Sequence, residues 1–80
     1  MTIAEYLKKY KLDNKRYAIL FAKPYFGSVV VVQQTRMPPV RYRVHYNGAS
    51  VTFGAPETMN NYLQRKFGPE FVIPLTAGVR

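Results

Sequence analysis

Arg41 and Arg43 stand two residues apart in Val40-Arg41-Tyr42-Arg43-Val44-His45-Tyr46, a run that alternates like a β-strand. On one strand face such a pair lies about 6.5–7 Å apart, because each residue rises about 3.3 Å. Successive phosphates along a nucleic-acid strand have a comparable spacing, and guanidinium forks bind phosphate oxygens two at a time. His45 continues this face, and Thr52 adds a neutral hydroxyl from the next strand. Lys15, Arg16, Lys23 and Arg36 are placed to widen the patch, and Tyr25 in the following turn could stack on an unpaired base.

The wider charge pattern points the same way. The 80 residues carry 12 Lys+Arg against 4 Asp+Glu, a net charge of +8. Nine of the basic residues and two of the acids fall in positions 1–46, and no acid occurs between Asp13 and Glu57. Leaving out one sign over such a window creates a field that concentrates anions.

Catalytic and metal chemistry find little support. Cysteine is absent and His45 is the single histidine, which excludes disulfides, thiolate zinc sites, cysteine nucleophiles and paired imidazoles. No phosphate-loop, dinucleotide-binding, zinc-protease or serine-hydrolase motif occurs. Arg43 with His45 is compatible with a small basic ribonuclease, but the chain is expected not to be an enzyme and to need no metal or cofactor.

The elements that must position these residues are legible. Thr2 and Glu5 form a capping box at the start of a helix, in which Ile3, Tyr6, Leu7 and Tyr10 make one apolar stripe. Arg16 to Lys23 reads as a strand stopped by Pro24, with a turn over Pro24-Tyr25-Phe26-Gly27. Ser28 to Thr35 contains Val29-Val30-Val31-Val32, which predicts an interior strand covered on both sides. Pro38-Pro39 forces an extended connection.

Asn47-Gly48 is the preferred pair for a two-residue type I′ hairpin turn, and it fixes the register. Tyr46 then pairs with Ala49, Val44 with Val51 and Tyr42 with Phe53 on one face; His45 meets Ser50 and Arg43 meets Thr52 on the other. Pro56 and Glu57 open a second helix whose stripe is Met59, Tyr62, Leu63 and Phe67, closed by Gly68-Pro69. Glu70 to Ile73 reads as a short edge strand stopped by Pro74, and residues 76–80 as a frayed tail.

The expected fold is a single α+β domain over residues 1–80, ordered αββββαβ, with a mainly antiparallel sheet packed by two helices. Both helices on one face would leave Arg41, Arg43, His45, Ser50 and Thr52 exposed on the other. The apolar runs are too short for a membrane span, and the acidic start is unlike a secretory signal, so an intracellular location is expected.

The favoured function is a binding module that holds RNA or DNA through phosphate contacts on one sheet face. The alternative is a protein–protein module, an inhibitor or assembly subunit such as viruses and mobile elements encode, docking on an acidic protein surface. A homodimer formed through an edge strand is a further expectation.

Overall fold

The computed structural model describes residues 1–74. In chain order it contains α1 (Ile3–Lys9), β1 (Tyr17–Tyr25), β2 (Ser28–Thr35), β3 (Tyr42–Tyr46), β4 (Ala49–Phe53) and α2 (Pro56–Lys66), followed by a 3-10 turn at Pro69–Phe71. The strands form one antiparallel sheet in the order β1-β2-β3-β4. The α+β class and the antiparallel sheet are those expected. The predicted closing strand at Glu70–Ile73 is replaced by the 3-10 turn. Here Asn60 takes up the backbone of Ile73 through both its side-chain atoms, at 2.9 and 3.0 Å, so this segment is held by a helix side chain instead of a ladder. The predicted tail, 76–80, lies outside the described residues.

Both hairpins close on two-residue turns. Asn47 and Gly48 have φ of 51° and 80°, Phe26 and Gly27 have 45° and 80°, the left-handed pair that a type I′ turn requires. The β3–β4 register is the expected one at all five pairs, from Tyr46↔Ala49 to Tyr42↔Phe53. β1 runs through Pro24 to Tyr25 instead of stopping at Lys23. Proline is tolerated because β1 is an edge strand and Pro24 sits where no ladder donor is needed. An extra residue between Ile19 and Phe21 makes a bulge at Leu20. The connection back to β3 contains a cis Pro38-Pro39 peptide bond.

The two helices lie on opposite faces of the sheet, which corrects the one-sided arrangement. α2 packs Met59, Leu63 and Phe67 on Val30, Val32 and Val44, with Phe71 closing the cluster. α1 packs Tyr6 on Val29 and Val31, with Leu7 and Tyr10 beside it. Both faces of β2 are therefore covered, and Val29 to Val32 are all fully buried. Two small clusters separated by a sheet replace the single core that one-sided packing would have made.

Candidate functional site

α1 is too short to cover its face of the sheet. Seven residues span about 10 Å at the helical rise, whereas the eight residues of β2 extend about 26 Å. Tyr6 lands over Val29, Val31 and His45, at the hairpin end. The other half of the face has no helix over it: Gln33 is buried there beneath side chains alone, flanked by the segment returning from α1 to β1. The result is a cleft of about 410 Å3 lined by Lys11, Leu12, Asp13, Lys15, Arg16, Tyr17, Gln33 and Arg43.

Each cation reaches the cleft for a local reason. α1 ends in a Schellman arrangement, with Leu12 N–H donating to Leu7 O at 2.8 Å and Lys11 N–H to Lys8 O at 3.2 Å. The left-handed position that glycine usually fills is occupied by Lys11, at φ 57°. The chain then turns at Asp13, whose carboxylate accepts from Lys15 N–H at 2.9 Å, and Asn14 Oδ1 accepts from Ile19 N–H at 2.8 Å. Those two side chains hold Lys15 and Arg16 at the rim.

Arg43 is half-buried and fixed. Its guanidinium carbon lies 3.9 Å from the centroid of the Tyr17 ring, and its Nε donates to Oε1 of the buried Gln33 at 2.9 Å. Stacking and a directed hydrogen bond together hold the planar group across β2. Arg36 joins from the β2–β3 connection: its Nε donates to Asn14 O and its N–H to Arg16 O at 3.1 Å. It lines an adjoining cleft of about 300 Å3 with Lys15, Arg16, Tyr17, Thr35 and Met37.

The structure thus assembles Lys15, Arg16, Arg36 and Arg43 of the predicted set, and adds Lys11, Tyr17 and Gln33 from outside it. Gln33, uncharged and inside the valine strand, carries no signal in the sequence that marks it. The others go elsewhere. Arg41 does not pair with Arg43; its Nη1 lies beside Gly54, 3.8 Å from where a Cβ would stand. One guanidinium points toward β1 and the other to the far end of β4, so the proposed two-arginine phosphate comb is not formed. Thr52 is exposed on β4, opposite Arg43 in register but on its far side from Tyr17.

Lys23 lies on the α2 face. Its Nζ donates to Glu70 O and sits 5.4 and 5.5 Å from the Phe21 and Phe71 ring centroids, so it fastens the C-terminal turn. Tyr25 is half-buried among Tyr46, Phe67 and Phe71, with its hydroxyl donating to Lys66 O at 3.3 Å. Its ring is packed into the α2-side cluster, away from the cations around Tyr17. The exposed aromatic of that turn is Phe26, at 90%.

No protein-family model matches the chain, and neither curated proteins nor solved structures yield a match.

His45, expected on an open surface, is buried under α1. Its Nδ1 lies 2.8 Å from Tyr6 Oη, and Gly48 N–H donates to the same oxygen at 3.4 Å. With the glycine N–H donating to it, the tyrosine oxygen keeps its own proton to offer Nδ1 when the imidazole is neutral and protonated at Nε2. Burial first, and Arg43 second, hold the His45 pKa below its ordinary 6.5. A base with a depressed folded pKa binds fewer protons folded than unfolded, so stability is complete above about pH 6.5 and is lost as pH falls through the folded value. Thermal unfolding should shift downward as pH drops below about 6.5, and a His45→Gln variant should lose most of that pH dependence. Among the described residues no group of three or more acidic, histidine or cysteine side chains could hold a metal, and no helix is long and apolar enough to cross a membrane.

Proposed function

We propose that the chain is a small nucleic-acid-binding module that holds single-stranded RNA or DNA along the cleft beside α1. Lys11, Lys15, Arg16 and Arg36 contact successive phosphates, and the guanidinium of Arg43, stacked on Tyr17, presents its outer face to a base. The observation that carries this reading is the convergence of five cations from three chain segments around Tyr17, while the one neighbouring acid, Asp13, is engaged with Lys15 N–H. Arginine stacking on an aromatic ring and backbone-directed lysines favour an unpaired strand, whose bases are accessible, over a duplex. Binding would depend on counterion release and read little sequence.

The test is titration with fluorescent single-stranded and duplex oligonucleotides over a range of salt. Replacing Lys15 and Arg16 by alanine and Lys11 by glycine should reduce the slope of log affinity against log salt by about two units. Lys11→Gly is informative because glycine adopts the left-handed position readily, so charge is removed without loss of stability. Arg65→Ala, on the opposite face, should leave the slope within about one unit of the parent. Absence of binding near 50 mM salt, about the lower end of the useful range, overturns the proposal, as does a slope the triple variant leaves unchanged.

A further inference from the structure

The two edges of the sheet are built differently. On β1, Pro24 has no N–H, Leu20 is bulged, and the Ile19 N–H is taken by Asn14 Oδ1. These are the usual means of preventing a further strand from adding. β4 has none of them: Ala-Ser-Val-Thr-Phe contains no charge, proline or bulge. A two-residue hairpin makes Tyr46↔Ala49, Val44↔Val51 and Tyr42↔Phe53 the hydrogen-bonded pairs. The N–H and C=O groups of Ser50 and Thr52 therefore point away from the sheet, and both residues are exposed. Among the described residues no hydrogen bond outside the sheet reaches these groups.

What flanks this edge indicates what fits it. On the α2 side Val51 is 42% exposed, and from Phe53, two residues on, a groove opens against α2, lined also by Thr58, Asn61, Tyr62, Arg65 and Lys66. The Phe53 and Tyr62 rings pack 5.3 Å apart as its floor. At the far end of the strand the Arg41 guanidinium lies against Gly54. Glu57 is outside this groove; it lines a neighbouring depression with Asn60 and Gln64, and Asn61 borders both. An open edge bordered by an apolar groove and three cations suits an extended chain that brings apolar and acidic side chains. A second copy of this chain would bring a neutral strand and another +8 of charge, which opposes self-association.

We infer that β4 is a docking edge for an acidic protein segment, which adds to the sheet as a fifth strand with its apolar side chains over Val51, Phe53 and Tyr62. The strand hydrogen bonds from Ser50 and Thr52 supply affinity, and Arg41, next in register beyond Tyr42↔Phe53 and so on the face away from Val51, meets the acidic side chains that an alternating strand places there. This site lies apart from the cleft around Tyr17, so the two can be occupied and tested independently.

The probe is a short fluorescent peptide that alternates valine and glutamate, with a valine–lysine peptide as its control. Fluorescence anisotropy should detect the glutamate peptide and not the lysine one. Thr52→Pro removes an outward donor while sparing the β3 ladder, and should weaken the glutamate peptide about tenfold. Arg41→Glu, at an exposed side chain, should weaken it by a similar factor, about tenfold, without touching the fold. Oligonucleotide binding should survive both substitutions. Equal affinity for the two peptides, or an Arg41→Glu variant that binds like the parent, overturns the inference. So does a dimer in sedimentation that Thr52→Pro dissolves, since the edge would then belong to a second copy.

Discussion

Tyr6→Ala should release α1 from the sheet and lower stability by about 3–5 kcal/mol. Tyr6 is the one buried residue of the helix, 1% exposed, and its ring packs on Val29, Val31, Tyr10 and His45. A seven-residue helix has little stability of its own, because nucleation costs more than one or two turns return. The capping box supports it, with Glu5 N–H donating to Thr2 Oγ1 at 3.1 Å and Thr2 N–H to Glu5 Oε1 at 2.8 Å. Caps contribute only about 1 kcal/mol, so docking through Tyr6 decides whether the helix exists. Loss of the ring would also uncover His45 and return its pKa toward the ordinary value.

Tyr6→Phe separates the two contributions. It keeps the packing, leaves His45 Nδ1 and Gly48 N–H without their shared partner, and should cost about 1–3 kcal/mol. Chemical denaturation gives both stabilities, and nuclear magnetic resonance of the single imidazole reports whether the helix remains seated. An alanine variant as stable as the phenylalanine variant would show that α1 is held by something other than its tyrosine. Because α1 also delivers Lys11 to the cleft, the alanine variant should bind oligonucleotides more weakly, whereas the phenylalanine variant should bind as the parent does.

Leu63→Ala is the second large effect, expected at about 2–5 kcal/mol. Leu63 is completely buried between α2 and the sheet, in contact with the cluster of Val30, Val32, Val44, Met59 and Phe67. Its carbonyl also accepts from both Phe67 N–H at 2.8 Å and Gly68 N–H at 3.0 Å, so backbone and side chain anchor the same turn. A domain of this length has about 4–12 kcal/mol in total, which puts the variant near the limit of folding. The melting temperature should fall by at least about 10 °C. Val51→Ala, at a half-exposed site on the same face, should cost less than about 1 kcal/mol and serves as the comparison.

Local chemistry made much of this molecule legible. The Thr2–Glu5 capping box, the Asn47-Gly48 turn and the proline at the head of α2 act over four residues or fewer, and all three stand where the residue types require. The turn then carried the register outward along β3 and β4 with no further information. β2 was readable as interior because four consecutive β-branched residues leave neither face polar. That same run held the clue to the helix arrangement: a strand buried on both sides needs cover on both sides, so two helices must divide between the faces. Taking them together left His45 and Arg43 exposed, and both are enclosed to different degrees.

Residues fastened by long-range contacts were not legible. Lys23 and Tyr25 carry the charge and the ring that nucleic-acid binding calls for, yet Glu70 and Lys66, more than forty positions away, engage both. Arg41 and Arg43 share a strand face by spacing, and backbone geometry alone cannot say which neighbour each guanidinium reaches. Tyr17 and Gln33, on two other strands, drew Arg43 away.

By itself the sequence determined the kinds and order of the elements from α1 to α2, the β3–β4 register and an excess of positive charge in the first half of the chain, since all of these follow from neighbours a few residues apart. The closing segment at Glu70–Ile73, held by Asn60 from α2, was not among them. Only the tertiary structure decided which cations meet. α1 is shorter than the strand it covers, so half a sheet face has no helix over it, and Lys11, Lys15, Arg16, Arg36 and Arg43 gather around the cleft that remains beside Tyr17.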